Sequence, residues 1–316
     1  LETLNPISNE TTCTEANDSD KIVLPDGSFA GETVDTQRKK QRDSEDEDYV
    51  PVIIKRTDEK RRHPDDALDD AIDGGLEQLH RPSLSLWLSA IAAGSIVGFS
   101  AMAVAVVLSC TKDAQISEFA SRIATAFVYP LGFIVCILSG AQLFTEHTAT
   151  ALYPVLDRKA SLPQLIRLWL VVICGNLIGA AICAGLLVAA DEVVHAEVGY
   201  IELGHHLVKY STASLIASSV LAGWLMALGA WLVMASPRMI AQITVIYIVT
   251  FLIGIGGLHH SITGSVEMFV AMLFSDEFSI GMAARFIATA LFGNLIGGSC
   301  FVAILNYGHI RRTNES

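Results

Sequence analysis

Six stretches of the chain carry no Asp, Glu, Lys or Arg: 84–110, 123–145, 168–190, 210–237, 239–258 and 286–308. A helix needs about 20 residues to cross a hydrocarbon core of roughly 30 Å, and each stretch is long enough. The pattern predicts an all-α membrane protein with six transmembrane helices over residues 83–310. Ahead of the first span, Leu68, Ala71, Ile72, Leu76 and Leu79 fall on one helical stripe, and Pro64 and Asp65 suit a helix start. Residues 63–82 therefore predict an amphipathic entry helix along the inner membrane face, weakened by Gly74 and Gly75. Residues 1–62 hold too few apolar positions to offset their ordering entropy, which predicts a disordered acidic tail. Residues 311–316 read as a short C-terminal tail.

The spans contain a repeat. Gly175-Asn176-Leu177-Ile178-Gly179 recurs as Gly293-Asn294-Leu295-Ile296-Gly297, 118 residues later. The second span runs apolar to Leu143-Phe144-Thr145, meets Glu146-His147-Thr148, then resumes through Leu152. The fifth runs to Leu258, meets His259-His260-Ser261, then resumes through Leu273. Leu143 and Leu258 lie 115 residues apart, close to the offset of the first pair. Two features thus agree on a three-span unit used twice. Because three is odd, the second copy enters the membrane from the opposite side, giving two inverted three-helix repeats with broken second and fifth spans. Broken spans at matching positions of inverted halves mark a solute site near the midplane, since freed backbone groups survive only beside protein or a wet path.

Charge is concentrated outside this body. Of the net −12, residues 1–82 contribute −10 and residues 83–316 only −2. The acidic balance argues against a nucleic-acid partner. No apolar run of signal-peptide length occurs in residues 1–82. With the N-terminus inside, Arg81, Arg158, Lys159, Arg167, Arg238, Arg311 and Arg312 collect on the inner side, against Lys112, Arg122, Lys209 and Arg285 outside. That asymmetry predicts both termini in the cytoplasm. Six cysteines show no CxxC pairing and read as packing residues.

So little charge in the body makes its few interior polar residues informative. His260 sits at the fifth-span break, opposite Thr145 at the second; a polar ring there is costly unless it serves a path or finds partners. Thr145 fits a helix cap or a pathway group equally. His259 cannot point the same way as His260, and the adjacent pair lacks a third ligand at metal-binding spacing, so no metal site is expected. Glu146 and Glu267 are the acids near the interior; Glu267 reads as paired with a basic group at a span end, or as tuning the site. His195, Glu197, Glu202, His205 and His206 read as solvated residues of the longest outer loop, with a divalent-ion site as the alternative. The GxxxG sets, including Gly94/Gly98, read as helix packing. No HExxH or GxSxG signature appears, so neither an enzyme nor a cofactor is expected.

Taken together, Leu143-Phe144-Thr145, His260-Ser261 and the paired GNLIG segments resemble the formate/nitrite transporter family over about residues 64–310. Gln142-Leu143-Phe144-Thr145-Glu146 and Gly264-Ser265-Val266-Glu267 look closest to its YfdC-like inner-membrane branch. The resemblance implies a homopentamer in a bacterial inner membrane, with one aquaporin-like pore per protomer. It implies small monovalent anions such as formate, nitrite, acetate, lactate or hydrosulfide as substrates, often with a proton. The family's central histidine falls on His260 and its loop threonine on Thr145; its constriction aromatic falls on Tyr129, with Phe133 one turn later, and its vestibule lysine on Lys209. The chain departs from the family pattern at Gln142, His259, Ile253 and Gly223, the last standing where an asparagine would hold the histidine. The residues alone leave two alternatives, an aquaporin-like channel for neutral solutes and a non-conducting scaffold or sensor.

Overall fold

The computed structural model describes residues 64–312 apart from residue 237. The tail expected over 1–62, and the part of the C-terminal tail after residue 312, lie outside the described residues. Among the described residues, all regular structure is helical. Helix α1 (Pro64–His80) precedes the first span, which is α2 (Ser83–Ile96) followed by α3 (Gly98–Asp113). The second span is α4 (Glu118–Val128), α5 (Pro130–Leu138) and the half-helix α6 (Phe144–Leu156); the third is α7 (Leu162–Ala189). The short α8 (Asp191–Val194) and α9 (Glu197–Val208) lead to α10 (Thr212–Met234), the fourth span. The fifth is α11 (Met239–Gly256) with the half-helix α12 (Ser261–Phe274). The sixth is α13 (Ile280–Gly298), extended by a π-helical turn (Ser299–Ile304) and α14 (Leu305–Arg312).

Six stretches, Ser83–Asp113, Glu118–Leu138, Leu162–Ala189, Thr212–Met234, Met239–Gly256 and Ile280–Ile310, are long and apolar enough to cross a membrane. Large side chains such as Leu88, Val135, Ile182 and Ile248 stay exposed on them, a surface suited to hydrocarbon and not to water. Polar residues define the ends: the hydroxyls of Ser117, Ser211 and Ser279 accept backbone N–H bonds as N-caps of α4, α10 and α13.

The two repeats are built alike and exchange their half-helices. Helix α2 packs on α7 in the first repeat, and α10 packs on α13 in the second. Half-helix α6 of the first lies against α10 of the second, while α12 of the second lies against α7 of the first. Helix α11 packs along α4 and α5, so the two broken spans face one another. The second span also bends at Pro130, whose ring cannot donate a backbone bond. Ser100 fills the bend: its hydroxyl donates to the Tyr129 carbonyl at 2.6 Å and accepts the Gly132 N–H at 3.0 Å.

Two expectations change. The apolar stripe of α1 does not lie on the membrane face. Leu68, Ala71, Ile72 and Leu79 are buried, and the first three pack with Ala149 and Tyr153 of α6, Ala227 of α10, and Val302 and Ala303. Half-helix α6 offers an apolar surface, and burying each large side chain there is worth about 1.5–3 kcal/mol. Gly75 permits the contact, because a Cβ would overlap the Thr150 carbonyl and the Pro154 ring. The connection expected as the longest outer loop is largely helical as well. Tyr200, Leu203 and Leu207 form a buried stripe on α9, packed on α3 and α12. That stripe at i, i+3 and i+7 is a helix signal among the polar positions of the segment.

Candidate functional site

Both breaks are made the same way. Helices α5 and α11 end at Gly140 (φ 68°) and Gly257 (φ 59°), left-handed conformations that favour glycine. After Gly257, the Leu258 N–H returns to the Ile253 carbonyl at 3.0 Å, closing the helix end. An asparagine from the packed long helix then ties the extended segment down. The Phe144 N–H donates to Asn176 Oδ1 at 2.9 Å, while Asn176 Nδ2 donates to the Gln142 and Ala90 carbonyls, each at 2.8 Å. In the second repeat, the Ser261 N–H donates to Asn294 Oδ1 at 2.8 Å, and Asn294 Nδ2 donates to the carbonyls of Ser219 at 2.7 Å and His259 at 3.2 Å.

This hydrogen-bond pattern corrects the register read from the leucines. Gly140 matches Gly257, Gln142 matches His259, and Phe144 matches Ser261, so Leu143 is the repeat partner of His260 and not of Leu258. The asparagines are site residues that the repeat displayed without revealing their task. Gly94 and Gly223 are likewise equivalent: a Cβ on either would collide with the backbone of Asn176 or Asn294. Gly223 therefore sets the α10–α13 approach, and no asparagine side chain fits there.

At the meeting point of the breaks, His260 Nε2 lies 2.6 Å from Thr145 Oγ1, and both residues are buried. His260 Nδ1 accepts the Thr263 N–H at 3.2 Å as the N-cap of α12. With Nδ1 occupied as an acceptor, the neutral ring carries its proton on Nε2 and donates it to Thr145. Phe133 meets the imidazole edge-on, with ring centroids 5.0 Å apart, and Tyr129 packs on Phe133 at 5.2 Å. Leu143, Phe144 and Ser261 are fully enclosed, with Ser261 contributing its backbone N–H to the Asn294 clamp.

A cavity of about 520 Å³ opens above this point. Tyr129, Ile253, His260 and Glu267 line it with His259 and His206, and Lys112, Arg122 and Lys209 also belong to its wall. His259 points away from Thr145: its Nδ1 lies 2.8 Å from Ser218 Oγ, and its ring stacks on His206 with centroids 5.1 Å apart. Burial holds His206 below the ordinary imidazole range; the Gly257 carbonyl opposes that shift, while Lys209 and Arg122 reinforce it. His206 is a second feature hidden from sequence, since it enters the wall only because α9 is a helix. Lys209 itself is exposed, with Nζ 5.0 Å from the Tyr210 ring centre. Glu267 is not the paired acid expected: among the described residues it forms no ion pair or hydrogen bond. Glu146 is buried on the other half-helix, 3.8 Å from His147 Nδ1. Among the described residues, no group of three or more His, Cys, Asp or Glu side chains could hold a metal ion.

Residues 65–308 match the family model described as "Formate/nitrite transporter". The chain is 29% identical over 300 residues to "Inner membrane protein YfdC" of Escherichia coli (strain K12), covering 93% of this chain and 90% of that one. A solved structure titled "FNT family ion channel" superposes with a TM-score of 0.69 at 17% identity, covering 78% of this chain and 99% of the other. A second, titled "Pentameric formate channel with formate bound", gives 0.61 at 20% identity, covering 71% and 96%. At those identities the two structures establish the fold alone.

Proposed function

The chain belongs to the formate/nitrite transporter family, and from that premise we propose that each protomer is a pathway for a small monovalent anion such as formate or nitrite, moving with a proton. The observation that carries the reading is the hydrogen bond between His260, which lines the cavity, and the buried Thr145, where the two broken spans meet. A bare anion entering a low-dielectric constriction faces an idealised cost on the order of 20 kcal/mol, and protonation removes most of it. Lys209, Lys112 and Arg122 draw the anion into the vestibule. The N-terminal ends of α6 and α12 add positive dipole ends at the midplane.

The proton then passes through His260 and Thr145. His260 takes a proton from the vestibule solution at Nδ1, giving up the bond from the Thr263 N–H, and becomes an imidazolium. Its Nε2 proton goes to Thr145 Oγ as the threonine hydroxyl proton goes to the anion. A neutral acid leaves, and the ring, neutral with its proton on Nδ1, loses that proton to solution and takes one at Nε2 before the next anion, restoring the bond from the Thr263 N–H. Histidine suits this exchange because its ordinary pKa of about 6.5 lies near neutral pH. Tyr129, Phe133 and Ile253 form the apolar constriction on the cavity side, and Leu143 with Phe144 form the other. The protein works as a homopentamer in a bacterial inner membrane, with both termini in the cytoplasm. Formate uptake into proteoliposomes tests the reading: flux rises as pH falls, and His260→Ala lowers the flux and makes that dependence shallower. A His260→Ala profile superimposable on the wild type would show the proton role to be wrong.

A further inference from the structure

Glu267 stands on the outer half of this pathway with no cation paired to it among the described residues. It lies on α12, seven residues after His260, is 6% exposed, and lines the cavity with Tyr129 and His260. The nearby charges are otherwise engaged. Lys112 Nζ is 3.6 Å from Glu202, the Arg122 Nε–H donates to the Ile255 carbonyl at 2.7 Å, and Lys209 lies over Tyr210. From α13, the Arg285 guanidinium donates to the Val208 carbonyl at 2.9 Å and the Tyr210 carbonyl at 3.2 Å. Among the described residues, none of these cations pairs with Glu267. The other titratable groups around α12 are Glu118, Tyr129, His206, His259 and His260 in the cavity wall, with Cys183 on α7 and Tyr200 on α9. None of them hydrogen-bonds to Glu267.

An ionised carboxylate here meets an arriving anion as a like charge in a confined, poorly solvated space. A protonated carboxyl removes that repulsion and offers the anion an O–H donor. We propose that Glu267 is a proton-binding site of the outer pathway, neutral while a small anion occupies the vestibule, so that its protonation admits the anion before His260 is reached. The inference rests on the anion reading above and adds a second titrating group to it. The repeat partner of Glu267 is Thr150, so the carboxyl belongs to one half of the pathway only.

Glu267→Gln keeps the shape and fixes the neutral state. In proteoliposomes carrying the full chain, the ratio of Glu267→Gln to wild-type formate flux grows by about tenfold for each pH unit above the midpoint of Glu267, as for one titrating group. A ratio that stays constant from acid to alkaline pH overturns the proposal. A readout independent of transport separates this from failure of the anion reading. Infrared pH-difference spectra of the purified protein show a protonated-carboxyl C=O band that Glu267→Gln lacks. An unchanged difference spectrum in the variant also overturns the proposal. If the wild type carries neither formate nor nitrite at any pH, the anion reading fails, and the infrared band then decides whether the proton site stands.

Discussion

Asn176 and Asn294 each close three backbone groups with one amide, which makes them the most consequential polar residues outside the pathway. Removing either leaves one buried N–H and one carbonyl of the break without their partner, while the Ala90 or Ser219 carbonyl keeps its helical bond, and an unsatisfied buried group costs about 1–3 kcal/mol. Asn294→Ala should lower the detergent unfolding midpoint strongly, with Asn176→Ala similar; a scan that leaves both midpoints at the wild-type value would refute the clamp. Thr145→Val deletes the hydroxyl facing His260 while keeping the shape, and should slow formate flux by about tenfold, the equivalent of one lost hydrogen bond of 1.4 kcal/mol. Thr145→Ser should restore most of it, as initial rates would show. His260 and Thr145 were legible in sequence because polar side chains interrupt two otherwise apolar runs. The asparagines were harder to read, since a GNLIG segment serves helix packing equally well, and only the fold shows that the residue between the glycines reaches the break. Glu267 was visible as an acid, but that it has no ion-pair partner among the described residues is a fact of three dimensions.

The elements were legible wherever one periodicity dominated. Six uncharged runs marked the spans, and two interruptions marked the half-helices. The inward docking of α1 was not, because an amphipathic stripe reads the same whether it meets lipid or protein. The deciding contact is Gly75 against Thr150 and Pro154, a fit between surfaces far apart in sequence. Gly75→Val should therefore undock α1 from α6. Overpacking of this kind costs about 1–3 kcal/mol, and the measurement is earlier proteolytic release of residues before the first span, with a lowered unfolding midpoint. Resistance equal to the wild type would place α1 elsewhere. Helix α9 was missed for the opposite reason: its stripe of Tyr200, Leu203 and Leu207 is short and set among charged and histidine residues, so its polarity outweighed its period.

At the scale of the molecule, inverted repetition puts two helix ends at one midplane point, and sequence divergence between the halves makes that point chemically one-sided. Leu143 stands where the second half has His260, and Thr150 where it has Glu267, so the two groups proposed to handle protons both come from the second repeat. The proposed pathway is built from side chains between Lys112 and Glu267, and on that proposal deletion of residues 1–62 should leave formate flux within about twofold of the full chain. The central claim is that anion and proton cross together through His260. It is tested most directly by vesicles holding a trapped pH indicator, clamped at zero potential, given external formate, and corrected for protein-free vesicles. The account predicts internal acidification in step with formate entry, both lost in His260→Ala. Formate entry without acidification, or acidification undiminished in His260→Ala, would contradict it.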